Sequence, residues 1–125
     1  MTAQTILPAN TLSSGYDVDN SAMFDGTSNA MHRTPGSASN LTTWTWSAWV
    51  KRSDLTGTQM ALFGAKEDSN NDTGIWFQTD NTLQFFNNVG GTVKQIRTNR
   101  VFRDTSAWYH IVAVWDSSNG TAGNR

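Results

Sequence analysis

The chain has 125 residues and a formal net charge of -1, with 9 Lys and Arg against 10 Asp and Glu. That length fits one ordinary domain burying roughly two thirds of its unfolded surface, and the even charge balance argues against a nucleic-acid module. Cys is absent, which excludes disulfides and thiolate zinc sites, and no apolar run approaches the ~18 residues of a membrane helix.

Met1–Asn10 has neither a basic start nor a long apolar core, so no signal peptide is read there. Met1–Asp19 is weakly patterned and reads as an N-terminal arm or attachment segment, in which Thr2–Leu7 is a candidate strand closed by Pro8. Residues 20–125 read as the domain proper. Ser21–Phe24 and Ala30–Thr34 are short candidate strands joined by a turn at Asp25–Asn29. Thr43–Arg52 alternates: Trp44, Trp46, Ala48 and Val50 share an apolar face, and Thr45, Ser47, Trp49 and Lys51 a mixed one, with Trp49 among polar neighbours. Gln59–Ala65, Gly74–Gln78, Leu83–Asn87 and Val93–Arg97 follow as shorter strands, with turns at Thr79–Thr82 and Asn87–Gly91. A short helical turn is expected over Arg103–Ala107. Trp108–Asp116 closes the series. Both of its faces are largely apolar, which predicts a central strand covered on both sides and places Trp108, His110, Val112 and Val114 in the core with Trp44, Trp46 and Val50.

No window longer than ten residues carries apolar positions at helical spacing. Thr, Ser and Asn make up about a third of the chain, beside six Trp and six Phe. Thr and aromatic residues favour strands; Asn, Ser and Gly favour turns. Eight or nine short strands at roughly ten-residue spacing predict an all-β antiparallel sandwich or barrel.

The runs SAMFDGTSNAM (Ser21–Met31), RTP (Arg33–Pro35), WTWSAWVKR (Trp44–Arg52), LFGA (Leu62–Ala65) and VFRDTSAWYHIVAVWD (Val101–Asp116) carry a resemblance. Their order resembles the laminin-G-like branch of the concanavalin-A-like jelly rolls, with Ser47–Lys51 matching a "sAWVK" strand and Trp108 to Val112 a Trp-x-His-x-Val strand. The likeness is nearest to the version in structural, tail-fibre-type proteins of marine bacteriophages, where Arg33–Ala38 also has counterparts. It covers about Ser21 to Asp116 and implies an antiparallel β-sandwich of jelly-roll type. In that family further strands follow the position of Arg125. The domain is therefore expected to be incomplete at its C-terminus, either as part of a longer polypeptide, the favoured reading, or with another chain supplying the strands.

Catalytic chemistry finds little support in the residues. The only His are His32, read as a surface residue on a short strand, and His110, read as a core histidine. A glycosidase needs two acids across a cleft, and the only Glu is Glu67 in a polar loop. No catalytic residue is assigned and no enzyme is expected. Asp68, Asn70 and Asp72 place oxygen atoms at alternate positions, either as calcium ligands or as a solvated hairpin tip. The glycine comes one place late for a calcium loop and Thr79 stands where the closing Glu would be. The resemblance keeps calcium in view; no other cofactor is expected. Lys94, Arg97, Arg100 and Arg103 form the one basic cluster, read as an anionic-partner surface or as charges protecting a strand edge. The triplets at Asn40, Asn71 and Asn119 that match the glycosylation pattern are expected by chance in so Asn-rich a chain.

Trp49, Trp76 and Trp115, with Asn87 and Asn88, are the candidate glycan-binding residues, because sugar rings stack on indole and amide side chains bond hydroxyls. For each Trp the competing reading is packing in the core or an interface. The resemblance implies a non-enzymatic structural or adhesion protein of a virion (tail fibre, tail spike or capsid surface), contacting host glycan and assembled with other virion subunits as a homo-oligomer. Nucleic-acid binding and membrane insertion are not expected. The alternative is a carbohydrate-binding module of a secreted bacterial polysaccharide-degrading protein.

Overall fold

Six runs become strands in the computed structural model, which describes residues 20–26, 29–37, 39–55 and 57–121. They are β1 (Thr43–Lys51), β2 (Met60–Lys66), β3 (Asp72–Phe77), β4 (Thr82–Val89), β5 (Thr92–Val101) and β6 (Trp108–Asp116). No helix occurs among the described residues. The chain divides into two units between Arg33 and Thr34, and all six strands belong to the second. Ser21–Phe24 and Ala30–Thr34, expected as strands, have no ladder partner; each is only four or five residues long and offers few alternating apolar positions. The proposed arm Met1–Asp19 lies outside the described residues.

Two antiparallel sheets form: a β1-β6 ribbon and a four-stranded sheet in the order β2-β3-β4-β5. The two sheets form an antiparallel β-sandwich, as the resemblance implies. Gly90 and Gly91 both take positive φ, 59° and 80°, so the β4–β5 hairpin turns in the two residues that only glycine adopts without strain. At the β3–β4 turn Asn81 has φ 68°, and the Asp80 carboxylate accepts from Thr82 N–H and O–H at 3.1 and 2.7 Å. The same device recurs at Asp104–Ser106 and Asp116–Ser118. At Asn40 the side-chain oxygen accepts from the Thr42 and Thr43 N–H groups at the entry to β1. The segment 103–107, expected as a helical turn, is such an Asp turn, fastened by hydrogen bonds between the Tyr109 hydroxyl and the Asp104 backbone.

The core lies between the sheets. Phe77 and Ile75 are fully buried, and Trp46, Val50, Met60, Leu62, Leu83 and Tyr109 pack around Phe77, Phe102 and Ile111. Trp44 meets Phe63 and Phe85, and Trp115 meets Phe85 edge-on at 5.8 Å. Arg52 is drawn inside as well. Its guanidinium sits 4.6 Å over the Phe77 ring and donates to the Phe102 carbonyl at 2.7 Å and to Asn81 at 2.9 Å. Burial lowers its pKa, against an opposing pull from Tyr109 and Asp54.

One expectation about the core is corrected. Trp108, His110, Val112 and Val114 point outward, with Trp108 53% and Val114 61% exposed, and β6 is covered on one side only. The register explains it. Trp44, Trp46, Ala48 and Val50 stand opposite Trp115, Ala113, Ile111 and Tyr109, and cross-strand partners share a face. Once β1 turns its alternating Trp face inward, β6 must turn Tyr109, Ile111, Ala113 and Trp115 the same way.

Candidate functional site

The outer face of the β1-β6 ribbon carries an exposed aromatic platform. Trp49, 62% exposed, stands opposite His110 in the ladder, and their rings stack 4.8 Å apart at 16°. Ser47 Oγ and His110 Nε2 share a 3.0 Å hydrogen bond. Lys51 stands opposite Trp108, and Val112 and Val114 continue the face beyond Ser47 and Thr45. The ladder therefore presents two near-parallel rings, a second indole and hydroxyl, imidazole and ammonium groups on one side of two hydrogen-bonded strands. Such a surface can stack the C–H face of a ring and offer polar groups beside it.

The other anticipated glycan residues do not join this platform. Trp115 lies in the interior against Phe85. Trp76 is on the outer side of the four-stranded sheet, edge-on to Phe86 at 4.9 Å. Its indole lies over Gly74, where a built Cβ would come within 2.6 Å of Trp76 Nε1 and 2.8 Å of Phe86; the glycine is there to seat the ring. Asn87 and Asn88 are successive residues of β4 and project to opposite faces. Asn88 is buried and donates to Asp72 at 2.9 Å and to the Ser69 carbonyl, pinning the β2–β3 loop.

The loop named for a cation is held by its own hydrogen bonds. Asp68 accepts from Asn70 N–H at 2.7 Å and from the Asn71 amide, which keeps its carboxyl below the usual range. Asp72 accepts from Asn88, and the Asn70 carbonyl accepts from Gly91 N–H at 3.0 Å. A cation seated on Asp68 and Asp72 would have to displace these donors. Asp80 is pushed down to about 2, first by the Thr82 hydroxyl and then by Arg97, whose guanidinium lies 2.6 Å away.

Two platform residues, Trp108 and His110, were assigned to the core on sequence. One signal does separate the faces of β6: Asp116 falls in their parity set, while Tyr109, Ile111, Ala113 and Trp115 carry no charge.

A family model described as the concanavalin A-like lectin/glucanases superfamily, of laminin-G type, matches residues 24–122. The chain belongs to this family. No curated protein and no solved structure matched it. The laminin-G-like assignment agrees with the two antiparallel sheets, and it covers the β1-β6 ribbon together with the four-stranded sheet.

Proposed function

We propose that this laminin-G-like domain is a non-enzymatic glycan-binding module that acts in adhesion, and that its binding surface is the Trp49–His110–Trp108 platform. The observation that carries the reading is the exposed, near-parallel Trp49–His110 stack beside Ser47 and Lys51. A lectin or glucanase fold gives a sugar-sized ligand as the first candidate, and an exposed stack of rings is what a pyranose face would meet.

The non-enzymatic reading is supported by the carboxylates. A glycosidase needs one acid held protonated near neutrality; four of the described carboxylates, Asp68, Asp80, Asp104 and Asp116, are shifted the other way, chiefly by hydrogen bonds, which takes these four out of that role. Placement in a virion surface protein, assembled as a homo-oligomer with other virion subunits, rests on the likeness of Ser21–Asp116 and Arg33–Ala38 to phage structural proteins.

A glycan array tests the binding. The chain should retain a defined set of glycans, and Trp49→Ala should lose them by tenfold or more while keeping its circular dichroism. Binding that survives Trp49→Ala and His110→Ala together would remove the platform from the proposal. An antiserum that labels secreted material and no phage particle would remove the virion.

A further inference from the structure

The two ends of the exposed ribbon face differ in charge. Its cross-strand rows run Lys51–Trp108, Trp49–His110, Ser47–Val112, Thr45–Val114 and Thr43–Asp116. A fixed positive charge stands in the first row and a fixed negative charge in the last. The three rows between carry hydroxyl, imidazole, indole and aliphatic groups. Eight residues of β6 carry the chain from Trp108 to Asp116, about 27 Å along an extended strand. Charges at a surface are screened beyond ~8 Å. Asp116 also has partners of its own, the N–H and hydroxyl of Ser118 and the N–H of Asn119. The aromatic rows therefore feel Lys51 and not Asp116.

Neighbouring cations at the aromatic end are turned elsewhere. Arg52 is buried over Phe77 and donates to Asn81 and to the Phe102 carbonyl. Arg100 lies against the rings of Phe102 and Tyr109, and Tyr109 packs into the core. Asp104 is within the influence of Lys51, but its carboxyl is lowered first by the Ser106 hydroxyl, at 2.6 Å, then by the Ser106 N–H, at 2.8 Å, and least by Lys51. Lys51 itself is exposed. It stands opposite Trp108 and two residues from Trp49 on the same side of β1, about 7 Å along the strand. A ring settling on these indoles displaces water from around the ammonium, and a charge-assisted bond made there gains strength. A neutral ligand would cover the same ammonium and leave it without an anion.

We infer that the glycan of this platform is acidic: a carboxylate, as on a uronic acid, bonds the Lys51 ammonium while the sugar ring that carries it lies against the Trp49 and Trp108 indoles. This ligand class rests on the glycan reading of the platform and narrows it. Stacking supplies the contact area, and the single cation selects among rings of similar shape.

Carboxyl-reduced glycans test it. Oligosaccharides of glucuronate, galacturonate and mannuronate are arrayed beside the same chains with each carboxyl reduced to the alcohol, and beside neutral glucans. The full chain should retain at least one acidic oligosaccharide about fivefold better than its reduced form, the size of a good exposed ion pair. Lys51→Ala should bring that ratio near one, and Lys51→Arg should keep most of it. Salt at about 1 M, where the Debye length is ~3 Å, should erase it. Circular dichroism checks that both variants keep the fold. Equal retention of the reduced chains, retention of neutral glucans alone, or a preference that survives Lys51→Ala overturns the inference and leaves the glycan reading standing. Retention of no arrayed chain, acidic or neutral, overturns both.

Discussion

Two aromatic groupings only one strand thickness apart behave differently. Inside the sandwich, Phe77, Phe102 and Tyr109 pack with Ile111 and Trp46, and Phe77 has no exposure at all. Outside, Trp49, His110 and Trp108 share the opposite face of the same β1-β6 ribbon, with both Trp more than half exposed. The inner rings are covered by a second sheet and meet edge-on or tilted. The outer pair meets nearly face to face and, among the described residues, has no second sheet above it. Aromatic content thus does not locate a core; what decides is whether another layer stands opposite. In this chain the uncovered rings are the ones proposed for binding.

Substitutions can break that comparison. Phe77→Ala should cost about 3–5 kcal/mol, read from urea unfolding; a cost under about 1 kcal/mol would mean that the inner cluster is not the core. Neighbours on β6 make a sharper pair. Ile111→Ala should cost about 2–4 kcal/mol, while Val112→Ala, one residue on and 54% exposed, should stay within about 0.5 kcal/mol. Equal costs would mean that both faces of β6 are covered. Gly74→Ala should destabilise by about 1–3 kcal/mol, because its Cβ would strike the Trp76 and Phe86 rings, and Trp76 fluorescence should report the displacement.

The smallest effect lies at the turn. Asp80 should titrate near 2 by carboxyl-carbon NMR, and Arg97→Ala should raise that midpoint only part of the way, since the Thr82 hydroxyl is the larger cause. The folded pKa lies below the unfolded value of ~3.9. Its stabilisation is therefore complete above about pH 4 and is lost as pH falls through about 2. An Asp80 midpoint near 4 would remove the hydrogen-bonded turn.

Much of the fold was legible because alternation with one wholly apolar face leaves one solution. Trp44, Trp46, Ala48 and Val50 could share only one face of β1, whereas the turn expected over Asn87–Gly91 narrows to Gly90 and Gly91, with Asn87–Val89 held in β4. The Ser, Thr and Asn content also has a local cause: Asp80, Asp104 and Asp116 each bond the Ser or Thr two residues on. The glycosylation-like triplets at Asn40 and Asn119 are turns of the same kind, their side-chain oxygens accepting from the Thr42 and Thr121 N–H groups. Of the anticipated glycan residues, Trp49 alone lies on the platform. Trp76, Trp115, Asn87 and Asn88 were grouped by residue type, and type carries no information about which sheet or face a strand position occupies. The core assignment of Trp108, His110, Val112 and Val114 failed because both parities of β6 are largely apolar, and the one charge that separates them, Asp116, stands at the end of the strand.

From the residues alone came the β class, the β1 face and the turns, because propensity and alternation act within a few neighbours along the chain. The outward face of β6 and the Trp49–His110 stack were decided only when β1 and β6 paired across a separation of more than fifty residues. Register transfers one strand's choice of face to its partner, and it exists only in the folded molecule.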